Sequence, residues 1–564
     1  MANERNALHG NALQRAAPML VGSLRNSAAR VRNAVVRALP GERPAYIVLE
    51  LSGSYLARRR KRKLVSLSTV LGAEREQSLE ELAEQVTALL QAPWLDGVVI
   101  RLGELSLDLA TAFALRNQLE RLRAGGKRVV VVAGEFNGVT YYLASAADEV
   151  IAPESASLWV HGLALSTTFM AEALARFGVR FEKLAIEEFK NAGDQFSLPA
   201  MSEAQRLQYD ALLESVERTY LGTVAAGRGR TPDEVRTWVD QGVTSADAAR
   251  DLGMIDRVAY EDEFIGARYK TYAQGVRFLP SRTRPLEGGR VAVVSLEGNI
   301  VSGKSRRTPV PVPLLGDAMA GSETLVRALR AAACDATTKA VVFFVDSGGG
   351  SALASDLIWR EVKQLAAKKP VVAVMGQLAA SGGYYVLTHA TRVLAAPTTI
   401  TGSIGVLVGK FVIEEFNARY GFKPETLERG RFAALTRSSR GWDEVEHDLL
   451  QRYNREIYER FVSRVADGRG LGTQRVDEIG RGRIWSGADA LELGLVDELG
   501  DVQLGIARAK ELARLDPDAP VWNVPAPQKL LLPTGDDPAT LLRSWAPLLR
   551  ERALLLHPLG LRVG

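Results

Sequence analysis

Two long segments of this 564-residue chain resemble each other along their whole length. The segment "KRVVVVAGEFNGVTYYLASAADEVIAP" at 127–153 parallels "KPVVAVMGQLAASGGYYVLTHATRVLAAP" at 369–397. Further similar segments follow in the same order, and Gly253 of the first copy matches Gly494 of the second at an offset of 241 residues. Self-similarity at one long offset indicates a tandem duplication, in which each copy spans most of one domain.

Short strands rich in β-branched residues alternate with helical stretches in both copies. Examples are "DGVVIRL" at 96–102 and its match "KAVVFFV" at 339–345. This alternation is typical of parallel βα units joined by right-handed crossovers. We therefore predict an α/β fold with two tandem domains. The expected boundaries are an amino-terminal extension over 1–44, a first repeat over 45–285, a second repeat over 286–510 and a carboxyl-terminal extension over 511–564.

The composition excludes several classes of protein. A hydrophobic fraction of 46% with 24% charged residues is the balance of a globular protein. The formal net charge is only +5, and the basic residues form no recognisable nucleic-acid motif, so we expect no nucleic-acid partner. The single cysteine, Cys334, excludes an intrachain disulfide and has no histidine nearby to activate a thiol. Because no run of eighteen apolar residues occurs, we expect neither a transmembrane helix nor a secretory signal.

Arginine-rich segments leave the cellular location open. The run "RRRKRK" at 58–63 is either a solvated loop or a patch attracted to anionic lipid headgroups. Both ends of the chain mix leucine, valine and alanine with arginine. Such segments can lie in a membrane interface, pack on the body of the protein, or reach a partner subunit. We expect a protein that is either peripheral at a membrane or cytoplasmic.

The two copies differ at a position with a plausible chemical role. The second copy has Ser381 in "AASGGYY", where the first has Gly138 or Val139, depending on the position of a one-residue gap. The fold shared by both copies therefore does not require the serine. At a strand-to-helix turn, a serine hydroxyl lies where unpaired backbone N–H groups favour negative charge. Gly382 would let a substrate carbonyl approach those amides closely.

A second glycine turn, "DSGGGSA" at 346–352, follows a neighbouring predicted strand. Gly349 and Gly350 could supply the other donor of an oxyanion hole, the pair of amides that binds the negative oxygen formed in acyl transfer. Taken alone, a Ser-Gly-Gly sequence is a weak signal and favours a purely structural turn.

The sequence disfavours a histidine as the base that would activate Ser381. Of the five histidines, His389 follows Ser381 by eight residues, about 12 Å along a helix, and the other four lie in no motif. A Ser-His-Asp triad is therefore disfavoured. A lysine can replace histidine as the base when burial lowers its pKa.

These motifs resemble the long form of signal peptide peptidase A, a family of bacterial and plastid Ser-Lys proteases with the ClpP/crotonase-type fold. The resemblance rests on "GQLAASGGYYV" at 376–386, "TTITGSIGVLVG" at 398–409, "GRGRIWSGADALELGLVDELGD" at 480–501 and the duplication itself. It covers about residues 45–505. It implies tandem ClpP/crotonase-like domains with parallel ββα superhelix units.

In that family the first repeat provides a lysine and the second repeat provides the serine. The matching residue here is Lys190 in "EEFKNAGDQFS", and its counterpart in the second repeat is Arg431, which is too basic to accept a proton. Ser403 of "TGSIG" matches the family position that orients the lysine. The resemblance thus implies a catalytic set of Ser381, Lys190 and Ser403, with Gly349, Gly350 and Gly382 at the oxyanion.

The same resemblance implies the activity and the partners. We expect a serine endopeptidase that needs neither a metal nor an organic cofactor, and that degrades cleaved signal peptides or other extended apolar segments. A ring-like homotetramer and a peripheral membrane contact are also expected. Alternatives are a catalytically inactive scaffold at a membrane surface and a crotonase-type acyl-CoA enzyme.

Three departures from the family pattern bear on these expectations. Gly348 replaces the proline of the usual Ser-Pro-Gly-Gly turn, which loosens the turn but keeps its amides. Asp194 and Gln195 stand where the family has glutamate and proline. The membrane-spanning segment of well-known long-form members is also missing from the sequence.

Overall fold

The computed structural model describes residues 23–24, 26–36, 43–59, 77–265, 269–283, 288–312, 316–526, 529–530, 554–555 and 562–563. Residues 60–63 of the basic run, the first 22 residues and most of the segment after residue 526 lie outside the described residues. The expectations for lipid contact at those positions therefore stay predictions.

The first repeat follows a helix at residues 26–36 (α1) and contains strands and helices in alternation. In chain order these are β1 Tyr46–Gly53, β2 Tyr55–Leu56, β3 Gln77–Ser78, α2 Leu79–Leu90, β4 Gly97–Leu105, α3 Leu109–Ala124, β5 Arg128–Ala133, β6 Glu135–Asn137, α4 Gly138–Ala144, β7 Glu149–Ala152, β8 Ser157–Trp159, β9 Leu163–Ala164, α5 Ala171–Arg176, β10 Arg180–Ala185, α6 Asp194–Ser197, α7 Glu203–Arg228, α8 Pro232–Gln241, α9 Ala246–Asp251, β11 Arg257–Val258, α10 Glu261–Ile265, β12 Tyr269–Thr271 and α11 Tyr272–Gly275.

The second repeat contains the same alternation, followed by the carboxyl-terminal strands. Its elements are β13 Arg290–Glu297, β14 Asn299–Val301, β15 Arg306–Val312, β16 Gly316–Gly321, α12 Ser322–Cys334, β17 Thr338–Ser347, β18 Gly350–Ser351, α13 Ala352–Ala366, β19 Val371–Ala380, α14 Gly382–Tyr385, β20 Arg392–Ala395, β21 Ile400–Gly402, β22 Leu407–Val412, α15 Glu414–Arg419, α16 Glu444–Arg469, α17 Thr473–Ile479, β23 Ile484–Ser486, α18 Gly487–Glu492, β24 Glu498–Leu499, α19 Val502–Leu512, β25 Val521–Asn523, β26 Lys529–Leu530, β27 Leu554–Leu555 and β28 Arg562–Val563.

Each repeat is built on its own sheet, and parallel pairs dominate both sheets. The first sheet has the strand order β11-β7-β5-β4-β1-β12, and all of its pairs are parallel. The second has the order β23-β21-β19-β17-β13-β25, in which only the β21–β23 pair is antiparallel. Strand β20 pairs with β19 on one edge and with β24 on the other. The predicted fold class, two tandem α/β units with parallel sheets, is confirmed. Strand β25 belongs to the second sheet although it lies beyond residue 510, where the sequence predicts that the second repeat ends.

Both sheets are buried on their two faces, which is why their strands are almost continuously apolar. On β4, Val98 and Ile100 face the larger core of the first repeat, whereas Val99 faces a smaller cluster on the opposite side. On β17, Val341 and Phe343 alternate in the same way with Val342. This alternation shows that helices and loops cover both sides of each sheet.

A third, mixed sheet joins the two repeats and has the strand order β10-β22-β27-β18-β14-β16-β15-β26. Within the described residues, the first repeat contributes one strand to it, β10, which pairs antiparallel with β22 over six residues of each strand. Phe181 of β10 packs against Phe411 of β22 and against Phe196, with ring centroids 4.9 and 5.7 Å away. Because of this pairing, the residues that follow β10 lie against the second repeat.

Of the helices in the described ranges, none combines the length and the apolar character needed to span a bilayer.

Candidate active site

Ser381 lies at the turn between the end of β19 and the start of α14. Its backbone has φ 56° and ψ −118°, a conformation that a residue with a side chain rarely adopts. The N–H of Ser381 donates to the carbonyl of Gly402 at 2.8 Å, which holds the turn against the end of β21. Backbone strain of this kind is concentrated at functional sites.

The two glycines after Ser381 are explained by close packing. A Cβ atom on Gly383 would lie 2.2 Å from the carbonyl oxygen of Ser347, and one on Gly382 would lie 2.7 Å from the Ser355 hydroxyl oxygen. The turn therefore packs directly against the "DSGGG" turn of the neighbouring strand β17, and side chains at these positions would force the two turns apart.

Lys190 reaches Ser381 from the other repeat. It lies in the loop after β10, and its Nζ is 2.8 Å from the Oγ of Ser381. The same amine is 2.9 Å from the Oγ and 3.1 Å from the carbonyl oxygen of Ser403. All three side chains are at most 1% exposed. The structure thus brings together the three residues that the sequence predicts as the catalytic set.

Ser403 occupies a strained turn between β21 and β22. Its φ is 49°, and its N–H donates to the carbonyl of Arg483 at 2.7 Å. This conformation directs both the hydroxyl and the carbonyl of Ser403 to the Lys190 amine. Because both partners are neutral oxygens, they orient the amine without a counter-ion.

The environment of Lys190 favours its neutral form. Complete burial lowers the pKa of Lys190 well below the usual lysine value, and the nearby ammonium of Lys183 lowers that pKa further. Lys183 itself forms an ion pair with Asp194 and donates to the carbonyl oxygen of Lys190 at 3.2 Å. A free amine at this position can accept a proton from the hydroxyl that it contacts.

The loop that carries Lys190 is supported by side chains that sequence reasoning did not identify. Asn191 donates to Asp194 at 2.7 Å, and Gln208 of α7 donates to the Phe189 carbonyl at 3.1 Å and to Asn191. Asp194, a departure from the family pattern, thus has one side-chain partner in the loop, Asn191, and one on β10, Lys183. No local motif marks Gln208, because it lies one helix away in the sequence.

Two glycines lie so close to Lys190 that a side chain at either position would crowd it. A Cβ on Gly482, which has φ +84°, would lie 2.5 Å from the backbone nitrogen of Lys190. A Cβ on Gly405 would lie 3.2 Å from the Cδ atom of the same lysine. The motifs "GRGRIW" and "TGSIG" therefore pack against Lys190. Both motifs are recognisable in the sequence, but the sequence does not show that they contact this lysine.

The predicted oxyanion glycines have different roles in the structure. The N–H of Gly349 donates to the Oγ of Ser347 at 3.1 Å, and its carbonyl accepts from Ile300 at 2.8 Å, so Gly349 shapes the turn. A Cβ on Gly382 would lie 3.2 Å from the Gly350 nitrogen. Gly350 therefore packs closely against Gly382, the residue after the serine.

A cavity of about 500 Å³ opens next to Lys190. Its lining includes Phe181, Glu187, Glu188, Ser197 and Leu198, so it combines aromatic, apolar and acidic surface, whereas Ser381 and Ser403 do not line it. In the described part of the chain, no group of three or more histidine, cysteine, aspartate or glutamate side chains is arranged to hold a metal ion.

The histidines of the described ranges lie away from this site. His389 accepts from the Trp359 indole at 2.9 Å and contacts Asp467 at 2.9 Å. His161 packs edge-on against Trp159. His447 packs edge-on against Trp442, and its Nε2 is 3.6 Å from a carboxylate oxygen of Glu182. None of the three contacts Ser381, as the spacing of His389 in the sequence predicts.

Comparison with known proteins adds an independent observation. The family model of peptidase family S49 matches residues 121–273 and again residues 363–516, once in each repeat. The chain is 31% identical to a chloroplastic serine protease SPPA of Arabidopsis thaliana, over 82% of this chain and 69% of that protein. It is 29% identical to protease 4 of Salmonella typhi, over 78% of this chain and 73% of the relative. A solved mutant ClpP1 of Listeria monocytogenes aligns with 38% of this chain and 94% of its own, at 15% identity and a TM-score of 0.24.

Proposed function

The chain belongs to peptidase family S49 and is a serine-type peptidase, and from this premise we propose that Ser381 is the nucleophile and Lys190 the general base of a catalytic dyad. The observation that carries the proposal is the 2.8 Å contact between Lys190 Nζ and Ser381 Oγ inside a fully buried site. The first repeat provides Lys190 and the second provides Ser381, so the two repeats meet at this contact.

In the first step, the neutral amine of Lys190 takes the proton of the Ser381 hydroxyl while the oxygen attacks a peptide carbonyl carbon. The carbonyl oxygen becomes an oxyanion, which the N–H groups of Gly350 and Gly382 stabilise. The Lys190 ammonium then gives its proton to the departing amine, the C–N bond breaks, and an ester to Ser381 remains. Water, deprotonated by the same amine, hydrolyses this ester and restores the hydroxyl.

Ser403 and Lys183 support the base in this scheme. Ser403 orients the amine towards Ser381 through two oxygen acceptors. Lys183 keeps the pKa of Lys190 low through charge repulsion. Gly349 has a structural role, because its N–H is already donated to Ser347.

The proposed substrates are extended apolar peptides, including the remnants of cleaved signal peptides. The proposal for this class rests on the resemblance to the long-form signal peptide peptidases. Because the nucleophile is completely buried in the folded chain, a substrate must enter as a single extended segment, and a folded protein would be excluded.

The duplication also supports a head-to-tail oligomer. In the first repeat, β10 pairs with a strand of the second repeat. The matching segment of the second repeat, 421–426 at the offset of 241 residues, forms no strand in the described structure. The side chains of Phe422 in this segment and of Leu427 directly after it are 59% and 96% exposed. A second copy could cover this segment with its first repeat. Repeating that contact would close a ring, for which we propose a tetramer.

The helix at residues 26–36 supports a peripheral membrane contact. Asn33 and Arg32 hold it to the body through Ser281, while Val31 and Val35 are 65% and 54% exposed. We propose that this apolar stripe, flanked by arginines, contacts lipid.

The dyad is tested by hydrolysis of a fluorogenic peptide with an apolar residue before the scissile bond. We expect the wild-type protein to hydrolyse this peptide. In both Ser381→Ala and Lys190→Ala, the rate of hydrolysis should fall at least about a thousandfold. Circular dichroism and gel filtration provide the controls for folding and assembly. Retained activity in Ser381→Ala would contradict the mechanism. A wild type that is inert on a broad peptide panel and unlabelled by an acylating probe would favour the inactive scaffold.

A further inference from the structure

The strand that leads to Ser381 contains a bulge. Strand β19 pairs with β17 up to Met375, which lies opposite Val345, and again at Ala379, which lies opposite Ser347. Between these two pairs, β19 has three residues where β17 has one. A β-bulge bends its strand and re-aims the residues that follow, and bulges are frequent beside active sites. Because Ser381 follows the second pair by two residues, the bulge affects the position of the nucleophile.

Asp346 is the residue of β17 that lies opposite the bulge, and its side chain reaches into it. Its Oδ1 accepts from the N–H of Leu378 at 3.1 Å. A Cβ on Gly376 would lie 2.7 Å from the Cγ of Asp346, so this glycine leaves room for the carboxyl group. On the side of β21, the Thr399 hydroxyl donates to the carbonyl of Gly376 at 2.8 Å. Side chains from two neighbouring segments therefore hold the bulge.

Strand β19 changes its neighbour at the bulge. The part before the bulge pairs with β20, and the part from Leu378 onward pairs with β21. The second pairing extends to Ser381, whose N–H donates to the carbonyl of Gly402. Directly after Gly402 comes Ser403, which contacts the Lys190 amine. The bulge therefore aligns the nucleophile with the residue that orients the base.

The first copy of the repeat has no carboxylate at this place. The segment "KAVVFFV" is followed by Asp346, whereas its match "DGVVIRL" is followed by Gly103. Gly134 of the first copy matches Gly376, and a Cβ there would meet nothing within 4 Å. Within the described residues, β6, which follows Gly134, pairs with β8 and not with β4. The shared fold therefore does not require Asp346, just as it does not require Ser381.

The carboxyl group borders a cavity of about 620 Å³ to which both repeats contribute. The other charged residues that line this cavity come from four further elements: Asp108 and Asp501, which cap α3 and α19, Glu297 of β13 and Arg307 of β15. Burial is the main reason that the pKa of Asp346 is raised to about 7, and the charges of Asp108 and Glu297 add to it. The hydrogen bond from Leu378 opposes this rise, because it favours the ionised form.

We propose that Asp346 is a positioning residue for the peptidase reaction: its carboxylate holds the bulge of β19 through the Leu378 amide, and the held bulge aligns Ser381 with Lys190. This proposal rests on the proposed function, because the alignment matters only if these two residues form the dyad. An ionised acceptor binds an N–H more strongly than a neutral one. Protonation of Asp346 therefore loosens the bulge, and catalysis requires the carboxylate as well as the free amine.

The first test measures kcat and KM for the fluorogenic peptide against pH in wild type, Asp346→Asn and Asp346→Ala. On the acid side, a plot of log kcat against pH should reach a slope of about two in wild type, since two groups must lose a proton. Asp346→Asn keeps an oxygen acceptor but cannot ionise, so its slope should be about one. Asp346→Ala removes the acceptor, and its kcat should fall about tenfold to a hundredfold with KM nearly unchanged.

Asp335→Ala is the matched control. Asp335 lies just before the other end of β17, where it also accepts from a backbone N–H, that of Thr337 at 3.2 Å. This variant should lose thermal stability and keep the kcat and the acid slope of wild type. A slope of one in wild type, a slope of two in Asp346→Asn, or an equal loss of kcat in Asp346→Ala and Asp335→Ala would overturn the proposal.

The second test needs no activity, so it separates this proposal from the dyad. Hydrogen exchange at the amides of Leu378 and Ser381 is measured at one fixed pH in wild type, Asp346→Ala and Asp335→Ala. We expect exchange at both amides to be at least several-fold faster in Asp346→Ala alone. Unchanged exchange would overturn the role of Asp346 in the bulge. A chain that shows the faster exchange but hydrolyses no peptide would retain this role and lose the proposed function.

Discussion

Lys190 and Ser381 are 191 residues apart in the chain, and their side chains meet at 2.8 Å in a site without exposed surface. The contact depends on the pairing of β10 with β22, because this pairing carries the loop of Lys190 across to the second repeat. One repeat alone contains either the base or the nucleophile, so the proposed chemistry requires both repeats.

The buried amine should make stability depend on pH. The unfolded lysine has a pKa of about 10.4, whereas burial lowers the pKa of Lys190 in the folded chain. Between the two values the unfolded chain binds a proton that the folded chain lacks, so the free energy of unfolding rises with pH. The expected slope from this residue is up to about 1.4 kcal/mol per pH unit. Denaturant unfolding of wild type and Lys190→Met, from about pH 7 to about pH 9, measures it. Parallel pH curves for the two proteins would show that Lys190 is protonated in the folded state.

Lys183→Met should move the pH profile of activity towards higher pH. Wild-type kcat/KM should rise with pH through the lowered pKa of Lys190, since only the free amine can act as base. Removing the Lys183 charge removes a repulsion and leaves Asp194 without its cation, and both changes raise the pKa of Lys190. We expect the acid limb to shift by about half to one pH unit with an unchanged plateau. Lys423→Met, at an exposed lysine, is the control and should leave the profile in place.

Ser403→Ala should lower kcat about tenfold to a hundredfold and leave KM nearly unchanged. The variant removes the hydroxyl 2.9 Å from the Lys190 amine but keeps the carbonyl at 3.1 Å, so the amine is held less firmly. Thr401→Ser provides the control, because the Thr401 hydroxyl is also buried but donates to the Ala379 carbonyl. An equal loss of activity in both variants, or a rise in KM alone, would argue against the orienting role.

Comparison of the two copies indicates Ser381 as a candidate, since the shared fold does not need a serine where the first copy has Gly138 or Val139, and the family resemblance then implies its role as the nucleophile. The parallel βα pattern was readable because both sheet faces are buried and the strands are continuously apolar. The roles of Lys190 and Ser403 could be predicted only from the family resemblance. Their contact partners lie in another repeat or another strand, so no local sequence pattern marks these two residues.

Other features follow from tertiary contacts that no spacing in the sequence encodes. The Lys183–Asp194 pair forms because β10 and the loop after it fold back on each other. The support from Gln208 depends on how α7 packs on that loop. The pairing of Leu555 with Gly350 joins residues more than 200 positions apart, and an apolar tail has many equivalent places to pack. Local periodicity predicts an element, but it does not choose the partner of that element.

Comparing Gly482→Ala with Gly470→Ala should distinguish a displacement of the Lys190 amine from the loss of stability that any alanine at a positive φ causes. A Cβ at Gly482 would lie within 2.7 Å of the backbone nitrogen, Cα and Cβ of Lys190, so the lysine must shift. Gly470, at the end of α16, has a similar positive φ of 66°, but a Cβ there meets nothing within 4 Å. Alanine at either position carries the cost of about 1 kcal/mol for a positive φ.

Only Gly482→Ala should also lose kcat/KM by about a hundredfold or more, because a displacement of the base by about 1 Å is costly in catalysis. Peptide hydrolysis and labelling by an acylating probe are measured for both variants beside thermal unfolding. Gly470→Ala should melt a few degrees lower with its activity and labelling intact. If both variants lose activity in proportion to their stability, the contact between Gly482 and Lys190 has no part in placing the base.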